Sequence, residues 1–269
     1  MNARVGAQGS PEDASLRLPH LSHSRVSKYL LCPEQYRLHY VENLRPRVAD
    51  ASLVFGQIVH QALNFLFRTG KDPLRFFQQA WDDLKTVDLN YGERESWEKL
   101  RSIGAALSEK FIREEFPKLG TVRASEKPFT LTITNLGVPF VGVIDLVSDL
   151  DGKVTVTDFK TAASAYQEHE AALSDQLTAY QLAEPTAEQS VLCVFTKTKT
   201  PQIEWHKTSR HPEQLGEYLA KVEYVGGEIT AGRFYKRPGR WCSYCDYLPV
   251  CMGDQQKIQE TLVQVAPHS

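Results

Sequence analysis

The 269-residue chain reads as an α/β domain: a mixed central sheet flanked by helices, with a helical layer before it and a cysteine-rich segment after it. Three observations predict this. Apolar residues recur at helical spacing up to about residue 116 and then change to the alternation of strands. A helical segment, Glu168 to Glu184, falls between strand-like runs, an order that covers a sheet on both faces. Three cysteines, Cys242, Cys245 and Cys251, crowd into ten positions near the end.

Composition sets the limits. At 42% hydrophobic the chain supplies a sizeable core, and its formal charge of −2 means that any polyanion contact rests on local patches. No run approaches the roughly 20 apolar residues that span a bilayer, and no apolar signal-peptide core is present, so a cytoplasmic protein with no membrane partner is expected. Five cysteines without an export signal point to metal ligation or free thiols more than to disulfides.

Residues 1 to about 20, rich in Gly, Ala, Ser and Pro, have no periodicity and are expected to form a flexible tail. Ser22 or Ser24 offers a cap for a helix through SRVSKYLLCPEQYRLHYV, which Pro33, following Cys32, should kink or split. From Arg17 to Arg47 the cations Arg17, Arg25, Lys28, Arg37, Arg45 and Arg47 outnumber Glu34 and Glu42 and interleave with Tyr29, Tyr36 and Tyr40. Such a stretch suits a single strand with stacked bases, or is an amphipathic face whose tyrosines pack inward. ASLVFGQIVHQALNFLFRTG then places Val59, Leu63, Leu66 and Phe67 at helical spacing, with Gly70 as its stop. His60 lies on that apolar side, either a satisfied core residue or a ligand. Helices at about Pro73 to Val87 and Glu95 to Phe116 complete the layer.

Strands begin near Val122 and lead through an Asn135-Leu136-Gly137 turn. Glu126, early in this run, is either a third carboxylate for a site or a surface residue. The hairpin Pro139 to Lys160 carries the chemistry. Asp151-Gly152 suits a two-residue type I′ turn, so Leu150 pairs with Lys153 and Asp145 falls opposite Asp158. Opposed carboxylates repel unless something neutralises them, and a divalent cation does so. Val141, Val143, Val147, Val154 and Val156 share their parity, which sets the acids on the apolar side and not in water. The period of two puts Lys160 on the face of Asp158.

Beyond Lys160, the helix from about Glu168 to Glu184 stacks Gln176 and Tyr180 four residues apart, a pair able to hold a phosphate, a water or a base, or simply a polar rim. SVLCVFTK and QIEWHK read as strands, with Cys193 a small core residue, and Pro212 to about Ile229 as a helix. In GRFYKRPGRWCSYCDYLPVCMGD, Cys242, Cys245 and Cys251 make, with Cys32, a candidate four-thiolate site that closes a very long loop. Zinc and an iron-sulfur cluster both take such ligands, and spacing leaves the two open. Lys236, Arg237 and Arg240 beside it form a second basic patch, for phosphate or for ordinary solvation.

FGQIVHQAL, GVIDLV, VTDFK, DQLTAYQLA and the split cysteine set, in this order between Leu21 and Gly253, resemble the PD-(D/E)XK nucleases of the RecB-like branch, especially iron-sulfur members such as the CRISPR-associated RecB-like exonucleases and the nuclease domain of AddB. The resemblance implies a restriction-endonuclease-like fold in a single nuclease domain, residues 21–253, made of a helical part at about 21–118, a sheet core at about 119–232 and a cluster-binding segment at 233–253, with a C-terminal tail at 254–269. It implies that His60, Asp145, Asp158 and the carbonyl of Phe159 bind Mg²⁺ or Mn²⁺, and that Lys160 orients and activates the attacking water. Gln176 and Tyr180 would lie beside the site and the DNA, and Cys32, Cys242, Cys245 and Cys251 would hold a [4Fe-4S] cluster, with zinc as the alternative. The implied function is a metal-dependent DNA exonuclease preferring single strands, in repair, recombination or CRISPR adaptation. The alternative is a DNA-binding subunit of a helicase-nuclease or adaptation complex, active only with a partner. Asp158 as the last acid is the form nearer to RecB and AddB. No P-loop G-x-x-x-x-G-K-[ST] occurs in the sequence, so a motor, if used, belongs to a partner.

Overall fold

The computed structural model describes residues 18–133 and 135–266, so most of the expected N-terminal tail lies outside the described residues. Ser22 caps α1 (His23–Leu31), its Oγ accepting from the Arg25 N–H. The helix stops at Cys32 because Pro33 brings no N–H to continue it, and Pro33 instead opens α2 (Pro33–Tyr36) at the first-turn position that proline favours. A wide turn leads to β1 (Leu44–Pro46) and β2 (Ala49–Asp50). Asp50 caps α3 (Ala51–Thr69), which ends at Gly70 with φ 68°. α4 (Pro73–Asp82), β3 (Leu89–Asn90) and α5 (Trp97–Lys110) finish the helical layer.

β4 (Leu119–Ile133), β5 (Val138–Leu150) and β6 (Lys153–Ala162) form an antiparallel meander. α6 (Glu168–Ala172) and α7 (Asp175–Ala183) cross over to β7 (Gln189–Thr196), parallel to β6, and β8 (Gln202–Thr208) ends a five-stranded sheet in the order β4-β5-β6-β7-β8. α8 (Pro212–Thr230), α9 (Leu248–Met252), α10 (Gln255–Thr261) and β9 (Leu262–Gln264) follow. The expected mixed sheet with helices on both faces is present.

Alternation along β7, buried at every position, sorts the core. Cys193 and Phe195 pack with Phe55, Phe77, Trp81 and Leu107 of α3, α4 and α5, whereas Leu192 and Val194 pack with Leu177 and Tyr180 of α7. α1 and α8 close a further cluster around Phe140 and Ile133.

One open reading is decided and two expectations change. Tyr29 and Tyr36 are 5% and 1% exposed, and Arg25 lies over the ring of Tyr40, so of the two readings of the basic-aromatic stretch the amphipathic face holds. The helix expected over Glu168 to Glu184 breaks where Ser174 caps α7 with its own Oγ. Residues 254–264, expected in a loose tail, form α10 and β9, and β9 pairs antiparallel with β1. No helix among the described residues is long and apolar enough to cross a membrane.

Candidate active site

Asp151 and Gly152 sit at φ 52° and 75°, as a type I′ turn requires, and they set the expected register from Leu150↔Lys153 to Leu146↔Thr157. The ladder stops there, one pair short of the aspartates. β6 runs on beside β7, from Asp158↔Leu192 to Ala162↔Thr196, while β5 runs on beside β4. The sheet therefore forks at Asp145 and Asp158, and the two are not a facing ladder pair. Alternation fails at the same level: Ile144 and Leu146, two apart, pack into different clusters, which turns Asp145 into the fork. Its Oδ2 accepts the Phe159 N–H at 2.9 Å, where a ladder would supply a carbonyl. The valines divide as well, with Val147 and Val156 buried and Val143 46% exposed.

Asp158 is 0% exposed. Its Oδ1 accepts from Lys160 Nζ at 3.1 Å and from the Tyr180 hydroxyl at 3.4 Å. Its Oδ2 lies 2.8 Å from the same ammonium but outside hydrogen-bond geometry, so that oxygen is buried without a donor. Lys160 Nζ also donates to Gln176 Oε1 at 2.8 Å, and Gln176 Nε2 donates to the Tyr180 oxygen at 3.0 Å. The four side chains close a ring, which fixes Lys160 at the floor of the fork. Burial opposes the Lys160 charge, but the Asp158 carboxylate outweighs it and holds the ammonium above its usual range. Burial, and then the charge of Asp158, push the Asp145 carboxyl up to about 6. Burial also raises the Tyr180 hydroxyl, with Asp158 adding to it, so that group stays a neutral donor.

α3 forms the opposite wall. His60 Nδ1 is 3.5 Å from Asp145 Oδ2, and its ring meets the edge of Phe159. Gly56, one turn earlier, lets the helix come this close: a Cβ there would stand 2.9 Å from Thr161 Oγ1. A groove of about 780 Å³ opens over the floor, lined by His60, Gln61, Glu126, Phe159, Lys160 and Thr161 among others. Glu126 thus lies on the rim. It holds a left-handed φ of 48° and accepts from Asn64 Nδ2, one turn beyond His60, at 2.6 Å.

Two residues escaped sequence reasoning. Asn64 gave only an i, i+4 spacing to His60. His23, at the start of α1, lies within electrostatic reach of Lys160 and Asp158, its Nδ1 buried without a partner, and only folding brings it there.

The cysteines gather at the other end of α1. Cys32, Cys242, Cys245 and Cys251 are free and half-buried, and Cys193 is a core residue in β7. Gln35 Nε2 donates to Cys245 Sγ at 3.5 Å and Gly239 N to Cys242 Sγ at 3.4 Å. Burial raises the thiols of Cys245 and Cys251, and Cys32 is a charge neighbour of both. Four soft sulfurs, two of them accepting N–H groups, are the donor chemistry of a thiolate-bound metal centre, but the sulfurs do not converge on one point. At the fork, the donor-free Asp158 oxygen and the raised Asp145 carboxyl fit a hard divalent cation held by oxygen ligands. Among the described residues, no three His, Cys, Asp or Glu side chains converge closely enough to hold an ion by themselves.

Comparisons with known proteins bear on these sites. A family model described as "PD-(D/E)XK nuclease superfamily" matches residues 20–252. The crystal structure of a protein titled "Putative exonuclease", from Eubacterium rectale, is 14% identical, covers 98% of this chain and 97% of its own, and has a TM-score of 0.55, a likeness of fold. A second crystal structure, SSO0001, is 12% identical over 86% of this chain and 95% of its own, and its TM-score of 0.37 carries no argument. No curated protein matches. The family match runs from just before the cap of α1 to beyond the last cysteine, across the whole sheet and the fork within it, and on that ground the chain belongs to the PD-(D/E)XK nuclease superfamily.

Proposed function

We propose that this nuclease is a RecB-like, metal-dependent DNA exonuclease that prefers single strands and carries a structural [4Fe-4S] cluster. The observation that supports it most is the fork, where buried Asp158 holds the Lys160 ammonium with one oxygen left without a donor and the Asp145 carboxylate stands across from it, beside His60. His60, Asp145, Asp158 and the Phe159 carbonyl would hold Mg²⁺ or Mn²⁺. When bound, the ion supplies a Lewis acid for the phosphate and a water of lowered pKa. Lys160, held by Asp158 and Gln176, sits where negative charge builds on the phosphoryl oxygens. Gln176 and Tyr180 keep that ammonium in place, and Asp145 keeps the fork open by taking the Phe159 N–H.

The test is digestion of single-stranded DNA labelled at either end, by anaerobically purified protein, with Mg²⁺ or Mn²⁺ against EDTA. Metal-dependent loss of label that disappears in Asp158→Ala is expected, and the labelled end gives the polarity. A brown, folded wild type that leaves the DNA intact refutes independent activity and points to a subunit that works with a partner.

A further inference from the structure

Around the cysteines the surface is aromatic and cationic, and the nuclease site uses none of it. Tyr235 is 59% and Tyr244 is 91% exposed, unusual for large rings without a partner. Trp241 is fixed to Arg237: its Nε1 donates to the Arg237 carbonyl at 2.9 Å, and the Arg237 guanidinium lies 5.0 Å from its ring centre. Lys236 donates to the Cys251 carbonyl and Arg237 to the carbonyls of Leu30 and Leu31, contacts that position the cations without neutralising them. Among the described residues Lys236, Arg237 and Arg240 make no ion pair: Glu34 pairs with Arg37 at 2.8 Å, Glu228 with Arg233 at 2.5 Å and Asp254 with Lys257 at 3.8 Å, while Asp246, the acid inside the cysteine segment, is within electrostatic reach of Lys28. Free rings among uncompensated cations suit a flexible polyanion with stackable bases.

α1 sets the distance from this surface to the fork. Arg237 bonds the carbonyls of Leu30 and Leu31 at one end of α1, and His23, at the other end, is within electrostatic reach of Lys160 and Asp158. The eight residue steps between His23 and Leu31 span about 12 Å, so surface and fork are joined by one short helix. Resting on the nuclease reading of the fork, we propose that Tyr235, Trp241 and Tyr244 with Lys236, Arg237 and Arg240 form a loading surface for single-stranded DNA on its way to the fork.

The experiment uses the full chain, purified anaerobically. Affinity for a labelled oligothymidylate of about twelve nucleotides is measured in EDTA by anisotropy, and hydrolysis of a thymidine dinucleotide is measured with Mn²⁺. Tyr244→Ala and Tyr235→Ala should each weaken the oligomer by on the order of tenfold, and Arg240→Ala should flatten the salt slope by about 0.7, all without changing dinucleotide hydrolysis. Tyr235 lies outside the C-x-x-C loop, so agreement of the two tyrosine variants shows that neither acts by disturbing the cysteines. Unchanged oligomer affinity in both overturns the proposal, as does a loss confined to Tyr244→Ala and accompanied by loss of bound metal. A wild type that does not hydrolyse the dinucleotide refutes the nuclease reading, while the binding data in EDTA still decide on the surface.

Discussion

Asp145→Asn should abolish cleavage and yet stabilise the metal-free protein. The carboxyl is pushed from its ordinary 3.8 to about 6, first by burial and then by Asp158. Between those two pH values the native state holds a proton that the unfolded chain has released, so stability falls as pH rises through this window and the penalty is complete above about 6. Its size follows from the shift at 1.36 kcal/mol per pH unit, about 3 kcal/mol, and the Asp145 side chain is only 16% exposed, so solvent screening removes little of it. Asparagine keeps an oxygen for the Phe159 N–H and removes the charge. Alanine at the same position orphans that N–H and should destabilise by about 1–3 kcal/mol.

The assay is urea unfolding of wild type, Asp145→Asn and Asp145→Ala under the same chelator, near pH 5 and near pH 7.5. The Asn variant should be about 3 kcal/mol more stable at the higher pH, and its advantage should shrink to about half at the lower. Saturating Mg²⁺ should then raise wild type by about 3 kcal/mol at a hundredfold excess over Kd and leave the Asn variant nearly unmoved. An Asn variant no more stable than wild type near pH 7.5, or an advantage that persists on acidification, refutes the picture of two buried carboxylates in want of a cation.

Other perturbations test the walls of the site. Gly56→Ala gains up to about 1 kcal/mol of helix propensity but forces α3 away from Thr161, and should lower cleavage on the order of tenfold; Thr161→Ala in the same chain should restore it, and a double variant as impaired as the single one contradicts the close-approach role. Tyr180→Phe removes the hydroxyl between Gln176 and Asp158, and should lower stability by about 1–3 kcal/mol and slow cleavage without changing single-strand affinity in EDTA. Cys32→Ser should bleach the anaerobically purified protein, or release its zinc if it is colourless, and lower its melting temperature; full metal content in the variant excludes Cys32 as a ligand.

What could be read from the sequence was what local chemistry dictates. Ser22 and Gly70 mark helix ends because caps are satisfied within a few residues, and Asp151-Gly152 sets the hairpin register because only a primed turn fits two residues. Cys193 is readable as core because Val191, Leu192, Val194 and Phe195 on either side of it are apolar. β1, β2, β3 and β9 were invisible, since two or three residues carry no periodicity and each strand depends on a partner far along the chain. Tyr29 and Tyr36 show the same limit from the other side: interleaved with cations they suit stacking, and only the arrival of Phe234 and α8 decides that their rings turn inward.

The fork has the same origin. Counting from the turn gives the right register, but it is silent on how long two strands stay together. β6 has a second neighbour in β7, some 30 residues later, and follows it past Thr157, while β5 stays with β4. Separation strands the Phe159 N–H, and a buried donor without a partner is expensive. A carboxylate at position 145 satisfies it and brings a charge beside Asp158, with His60 3.5 Å away and the ammonium of Lys160 already held by Asp158. The parting of the strands thus creates both the opening and the unbalanced acid within it, which is why the residues that join the sheet at this point are the ones the proposed chemistry needs.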